Sequence, residues 1–445
     1  MDKISIKRIW KRLTPIQLLV LGYISITLIG SILIVLPFST SLGISQNYID
    51  ALFTSTSAST GTGLIIEDTG TYYSLFGQII VLILVQIGAL GYMIGVTWMV
   101  LGLGGKLSIT DRILLRESVQ RPTAVDIISF VKIITVLTFV IEALGALLLF
   151  VYWGKDFGVP TGAYISLFHS VSAFCTSGFC LFEGGFVEYQ QSIQINLIIS
   201  LLSILGAIGF FVLYDVLRFI KSSYKKEQKK IAVYTKFSLL LTSVLYFFGF
   251  IVISISEINS NSSIMIPFFH SISASSTAGF NTVNISLMRL PSHLIMTILM
   301  FIGASSGGTG GGIKSSTFGV LILFTYYLLK DKKDVNIFKR VIAPQKIEKA
   351  FGIFITSINF ILIGVGILVF TEDFTFIELL FESVSALGTT GLSLGITPYL
   401  SPVGKIVIIF LMLVGRIGPL AIGFSLLGKQ KEISFKYPKA DIFVG

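Results

Sequence analysis

Long and short apolar runs alternate along this chain in a fixed order. Residues 16–36 form a run long enough to cross a bilayer, and a polar connection follows. Next come a short apolar segment at 48–58, a stretch of small polar residues, and a second long run at about 78–103. Crossing the hydrocarbon core takes about 20 helical residues, so the short segment cannot span. The order recurs at 127–152, 163–173 and 195–220, and again at 351–370, 376–387 and 403–427. Between these lie 237–254, 264–275 and a return from about His293 that is interrupted at 303–313 and resumes to Leu329. The pattern predicts an all-α integral membrane protein of eight full spans, with four short helices that dip in between pairs of spans. We place the repeats at 13–104, 123–222, 231–330 and 346–428, within one transmembrane domain, and read 429–445 as a cytoplasmic tail.

Composition agrees with the pattern: 53% of residues are hydrophobic and 13% charged. The net charge of +10 raises nucleic acid as a partner, but its distribution argues for lipid. Lys3, Lys7, Arg8, Lys11 and Arg12 precede the first span; Lys106, Arg112, Arg116 and Arg121, then Lys221, Lys225, Lys226, Lys229 and Lys230, lie between repeats. The connections within repeats carry Glu67, Asp68, Glu183, Glu188, Glu372 and Asp373 instead. Basic loops stay cytoplasmic, which puts both termini and the linkers inside a cell-membrane protein. The basic start before 16–36 imitates a signal peptide, but the run is long and reaches Pro37 without a small-residue cleavage pattern, so we read a retained span.

The centre of each repeat is one phrase written four times: STSASTGTGL at 55–64, SVSAFCTSGF at 170–179, SISASSTAGF at 271–280 and SVSALGTTGL at 383–392. Their closing glycines, Gly63, Gly178, Gly279 and Gly391, are 115, 101 and 112 residues apart. A second echo starts 25, 28, 24 and 24 residues later, at Gly88–Gly91, Gly206–Gly209, Gly303–Ser306 and Gly415–Gly418. Non-helical backbone at membrane depth must be buried in protein or line a watery path. Four such loops in repeats of one orientation can surround a single axis. The candidate ion-binding residues are Thr60, Gly61, Thr62 and Gly63; Cys175, Thr176, Ser177 and Gly178; Ser276, Thr277, Ala278 and Gly279; and Gly388, Thr389, Thr390 and Gly391. They offer carbonyl and hydroxyl oxygens and no carboxylate, a donor set that can replace the hydration shell of a monovalent cation. Glycine at the aligned position lets the backbone take dihedrals closed to other residues. The expected architecture is therefore four helix–re-entrant pore loop–helix repeats around one central pore. Helix packing by small residues is the plainer alternative.

These motifs, with the interrupted third return helix, resemble the membrane subunits of bacterial Ktr potassium-uptake systems, in the wider Trk/Ktr/HKT superfamily. The resemblance covers the chain from the first span to Gly418. It implies K+ as the transported ion with Na+ as a candidate activator, no organic cofactor, a homodimer, and a cytosolic nucleotide-binding regulatory ring. Relatives with serine at the first filter position favour sodium, and Gly63 points to potassium.

Two features break the symmetry. The first is Ala304, Ser305, Ser306, Gly307, Gly308, Thr309, Gly310, Gly311, Gly312, Ile313 and Lys314. Ile313 before Lys314 rules out a Walker A motif. Glycine at this density melts a helix into a mobile segment able to obstruct permeation, and the resemblance makes it a gating loop; a passive kink is the alternative. The second is Arg416, whose aligned partners are Ala89, Ala207 and Ala304. A cation there would repel passing cations, the barrier role that the resemblance implies, or pair with Glu142 or Asp215. His169 and His270 align with Thr54 and Glu382, a pattern read as packing or hydrogen bonding rather than metal ligation. Cys175 and Cys180 are read as small buried residues, with a disulfide as the other option. Competing functions are an ion-coupled secondary transporter with alternating access, disfavoured by repeats of one orientation, and an intramembrane serine–histidine enzyme, for which no unique nucleophile–base arrangement exists.

Overall fold

The computed structural model describes residues 15–91, 94, 97, 127–224, 230–258, 263–332 and 334–427. The N-terminal basic cluster, Lys106 through Arg121, Lys225, Lys226, Lys229 and the 429–445 tail lie outside the described residues. Each repeat opens on a long apolar helix: α1 (Pro15–Val35), α4 (Ile127–Asp156), α8 (Val233–Ser256) and α12 (Pro344–Thr371). These four are long and apolar enough to cross a membrane. A short helix follows in each: α2 (Tyr48–Thr60), α5 (Val159–Phe174), α9 (Met265–Ser276) and α13 (Phe376–Gly388).

The return helices are shorter than the sequence pattern predicts, because a glycine stops each of them. They are α3 (Leu75–Leu90), α6 (Ile193–Ala207), α10 (Leu290–Ile302) and α14 (Pro402–Ile417). At 13 to 16 residues and 1.5 Å per residue, none covers the roughly 30 Å of hydrocarbon alone. Gly91 (φ 82°), Gly209 (φ 102°), Gly303 (φ 70°) and Gly418 (φ 105°) end them in a backbone conformation other residues rarely adopt. After the stop come α7 (Phe210–Tyr224), α11 (Ser315–Leu329) and α15 (Pro419–Leu427). The expected straight span over 195–220 is thus two helices meeting at 98°, and that over 403–427 is broken at Gly418. A small hairpin, Asn336–Ile337 with Arg340–Val341, joins the third and fourth repeats.

Lipid-facing residues such as Ile29, Leu147, Phe247 and Leu362 stay exposed, while the polar phrase of each repeat is buried at the centre. Ser55, Thr56, Ser57, Ser59 and Thr60 have no accessible surface. Apolar side chains both cover the outer surface and pack buried clusters between the helices, and the polar phrases are gathered at the centre.

Candidate functional site

All four short helices end in one way. The residue two before each closing glycine is left-handed: Gly61 (φ 66°), Thr176 (φ 50°), Thr277 (φ 57°) and Thr389 (φ 47°). Its N–H donates three residues back and the next N–H donates five back, as in Gly61 to Ala58 (3.1 Å) and Thr62 to Ser57 (2.8 Å). Thr176 to Ala173 with Ser177 to Ser172, Thr277 to Ala274 with Ala278 to Ser273, and Thr389 to Ala386 with Thr390 to Ser385 repeat it. This is a Schellman closure, normally built on glycine. Threonine there costs about 1–3 kcal/mol of backbone strain, which the surroundings must hold in place.

The two serines of each phrase have separate tasks. The first anchors the short helix to the long one: Ser55 Oγ donates to Thr27 O (2.7 Å), Ser170 to Glu142 O (2.7 Å) and Ser271 to Tyr246 O (2.6 Å). Gly30, Gly145 and Gly249 make room, since a Cβ on any of them would strike that hydroxyl. In the fourth repeat Gly364 faces Leu411 instead, and Ser383 Oγ is buried without a hydrogen-bond partner. The second serine holds the loop. Ser57 and Ser385 accept from the N–H of Gly63 (3.0 Å) and Gly391 (3.1 Å). Ser172 and Ser273 donate to the carbonyls of Phe179 (2.7 Å) and Phe280 (2.6 Å).

The four loops close a ring. A Cβ on Gly63 would collide with the Ser177 carbonyl, one on Gly178 with that of Ala278, one on Gly279 with that of Thr390, and one on Gly391 with that of Thr62. Each glycine therefore abuts the backbone of the next repeat, in the order one, two, three, four and back to one. All four have positive φ, from 69° to 91°. Around them Thr60 Oγ1 bonds Thr62 Oγ1 (2.7 Å) and Ser172 Oγ bonds Ser177 Oγ (3.0 Å). The hydroxyls of Ser276, Thr389 and Thr390 are buried with no hydrogen-bond partner. Such groups are rare in folded proteins and call for an explanation.

On the other side of the short helices lie the first glycines of the second echo. Gly88, Gly206 and Gly415 let the return helices pass against the carbonyls of Ser59, Phe174 and Leu387, which a Cβ would overlap. The third repeat puts its glycine-rich segment here. Thr309 N donates to Gly206 O (3.1 Å), Ser305 N to Ala207 O (3.1 Å) and Phe210 N to Gly307 O (2.8 Å). Thr309 Oγ1 donates to Phe174 O (3.1 Å) and bonds Thr176 Oγ1 (3.0 Å). Gly311 N reaches Thr277 Oγ1 (3.2 Å), and a Cβ there would strike Thr389. The segment thus touches the second, third and fourth repeats. Gly308 and Gly310 are likewise hemmed in by backbone or side chains, Gly312 packs on Gly303, and Ala304 and Ile313 are buried. Ser306 O accepts from Tyr234 (2.8 Å), and Lys314 Nζ donates to Gly310 O and Gly311 O.

Arg416 completes the girdle. Its guanidinium donates to the carbonyls of Thr309, Gly88 and Ala89 (2.9 Å for the last), and Nε reaches the Tyr23 hydroxyl at 3.4 Å. A Cβ on Gly61 would lie 4.0 Å from it. The carboxylates considered as partners are engaged elsewhere. Glu142 accepts from Gln86 (3.3 Å) and faces the Cys175 thiol (3.7 Å). Asp215 accepts from Ala232 N and Thr235 Oγ1 (2.8 Å each) and caps the start of α8. Cys175 and Cys180 are both free thiols.

Two acids of the within-repeat connections hold helix starts, Asp68 as an N-cap and Glu372 by gripping the N-cap Ser401, roles that the charge pattern alone does not show. Asp68 accepts from Gly70 N (3.1 Å) and Thr71 N (2.9 Å), and Glu372 accepts from Ser401 N (2.9 Å) at the start of α14. Asp50 pairs with Lys405 (2.6 Å), joining the first repeat to the fourth. Glu67 stands close by, and its carboxyl is pushed above the usual range by burial and then by Asp50, with Lys405 opposing. A raised carboxylate takes up its proton early on acidification.

Three comparisons complete the description. The family described as "TrkH: Cation transport protein" matches residues 17–434. The chain is 36% identical over 445 residues to "Ktr system potassium uptake protein B" of Bacillus subtilis, covering 98% of each. It is 34% identical to "Potassium/sodium uptake protein NtpJ" of Enterococcus hirae, covering 99% of each. Among solved structures, the potassium transporter TrkH of Vibrio parahaemolyticus superposes with a TM-score of 0.67 at 21% identity, over 91% of this chain and 84% of that one. That likeness is one of fold.

Proposed function

Because this chain belongs to the TrkH family of cation transport proteins, we propose that it carries potassium across the cell membrane through one filter at the centre of its four loops. The ring in which each filter glycine abuts its neighbour's backbone is the observation that carries this reading. Around a single axis, loop carbonyls and hydroxyls take the place of water around a dehydrated cation. The orphaned hydroxyls of Ser276, Thr389 and Thr390 fit a polar path. The short helices end at the loops, and their negative C-terminal ends favour a cation. The test is potassium and sodium uptake by the reconstituted full chain. Uptake of both ions at equal rates would overturn the selectivity.

The glycine-rich segment, 304–314, is the gate in this reading, and Arg416 is a barrier that also pins the gate shut through Thr309. A unit charge about 10 Å from a passing cation costs ~1.7 kcal/mol at an effective dielectric of ~20. Arg416→Gln keeps hydrogen-bonding capacity without the charge and is expected to raise uptake without a regulatory partner about tenfold, measured as rubidium influx. Regulation by a cytosolic nucleotide-binding subunit, a homodimer, and cytoplasmic termini extend the proposal from the family resemblance and the basic linkers.

Glu67 adds a pH dependence at the outer mouth. Its raised carboxyl neutralises before ordinary carboxylates as external pH falls, so apparent potassium affinity weakens early on acidification. In Glu67→Gln that early phase is expected to vanish from uptake titrations, and its persistence would assign it elsewhere.

A further inference from the structure

The residue nine before each filter glycine is Thr54, His169, His270 or Glu382, four different chemistries at one position. All four are buried. His169 Nδ1 donates to Ile165 O (2.9 Å), which leaves Nε2 to accept from Leu181 N (3.1 Å) beside the Cys180 thiol (3.2 Å). His270 repeats this with Ile266 O (2.9 Å) and Thr282 N (3.4 Å). Leu181 and Thr282 are each the third residue past their glycine. In the fourth repeat Glu382 accepts from Ser393 Oγ (2.8 Å) and Thr397 Oγ1, so a carboxylate grips the corresponding exit segment. In the first, Thr54 reaches only the Tyr73 hydroxyl (3.0 Å), ten residues past Gly63, and Tyr73 OH donates to Gln46 (3.0 Å).

We propose that these four side chains are positioning residues of the filter, latching the chain just beyond it to the short helix before it and so setting the height and spacing of the loop oxygens. Each loop is held at three levels: the Schellman closure below, the second serine at the glycine or the residue after it, and the latch above. A filter discriminates between ions of different size only if its oxygens resist collapse around the smaller one. A latch acts on selectivity without touching an ion. It is rigid where the grip is direct, in repeats two, three and four, and loosest in repeat one. His169 is locked further by Phe182 stacked on its ring (4.9 Å between centroids) and by Trp153 at 5.0 Å.

This inference rests on the filter reading, so the experiment separates the two. Potassium and sodium uptake are measured in proteoliposomes of the full chain, with folding checked by monodispersity and helical circular dichroism. His270→Leu removes the acceptor for Thr282 N and is expected to lower the potassium-to-sodium ratio about tenfold. His270→Gln places an amide oxygen near the lost Nε2 and should recover most of the ratio, which a simple volume effect would not. Should His270→Leu fail to fold, Ser393→Ala, which removes one hydroxyl from the Glu382 latch, decides; a severalfold fall is expected. Thr54→Val is expected to change the ratio less than either. An unchanged ratio in folded His270→Leu or, in its place, in Ser393→Ala overturns the latch if Gly63→Ser shifts the ratio in the same assay. An unchanged ratio in Gly63→Ser as well overturns the filter itself.

Discussion

Replacing Gly63 with serine is expected to lower the preference for potassium over sodium by about tenfold in a protein that still folds. Two independent constraints meet at this residue. Its φ of 90° lies where a side chain is strained, at a cost of about 1–3 kcal/mol. A new Cβ would also overlap the Ser177 carbonyl, with the Ser177 carbonyl carbon at 3.0 Å and Gly178 Cα at 3.2 Å. The second loop must retreat, or the first must turn its carbonyl away; either change unbalances the ring. About 1.4 kcal/mol lost from the difference between two ions is a factor of ten. The geometry also ranks the four positions. At Gly178 the nearest carbonyl oxygen lies 2.9 Å from the added Cβ, farther than at the other three, so Gly178→Ser should be mildest. Competitive uptake of the two ions reads this directly; an unaltered ratio in Gly63→Ser would remove the ring from any part in selectivity, and a Gly178→Ser effect as large as the others would remove the ranking.

Deleting residues 307–312 is expected to raise potassium flux in the absence of a regulatory partner about thirtyfold. The residues flanking this excursion already lie side by side: Ile313 N donates to Phe301 O (3.2 Å) and Ser315 N to Ala304 O (3.0 Å). Excision therefore shortens a loop with a closed stem and leaves α10 and α11 in place. It removes the bonds of Gly307 and Thr309 to the second repeat, that of Gly311 to Thr277 within its own repeat, and the Thr309 carbonyl that Arg416 grips. Counting only the two main-chain bonds to the second repeat, Phe210 N to Gly307 O and Thr309 N to Gly206 O, at about 1 kcal/mol net each, their loss from the closed state moves a closed–open equilibrium by about thirtyfold. Rubidium influx into proteoliposomes measures it. Loss of all flux in a folded deletion protein would mean that the segment is needed for passage, and blocking would be the wrong description.

The four long helices and the four short ones were legible, all within about four residues except the start of α12, which lies seven residues before the apolar run at 351, because hydropathy and repetition are local signals. The breaks in the return helices were not. One glycine in an apolar run costs a helix only about 1 kcal/mol, so a hydropathy window runs through Gly209 and Gly418. Pro419 directly after Gly418 was a stop signal available in the sequence. The tightness of the ring was hidden for another reason. Gly63 can be seen to need a special φ, but its contact with Ser177 spans more than a hundred residues and appears only when repeats meet. Likewise, the two serines of each phrase look alike in sequence, yet one faces a neighbouring helix and the other the loop, because they stand on different sides of a helix turn. Asp68 and Glu372 counted only as acids of the within-repeat connections, because a capping acid and a free one have the same letter. Asp68 before Thr-Gly and Ser401 before Pro402 were the cues to helix starts.

The girdle closes between the first repeat and the last: Gly391 against Thr62, Asp50 with Lys405, and Arg416 on Gly88 and Ala89. These partners are made hundreds of residues apart, so during synthesis the first quarter must wait in the bilayer, its polar loop unclosed, until the final quarter leaves the ribosome. A nascent chain stopped before Gly391 has three sides of the enclosure and no means of sealing it. Closure of the enclosure therefore waits on the fourth repeat, whose loop and α14 carry the residues that seal it.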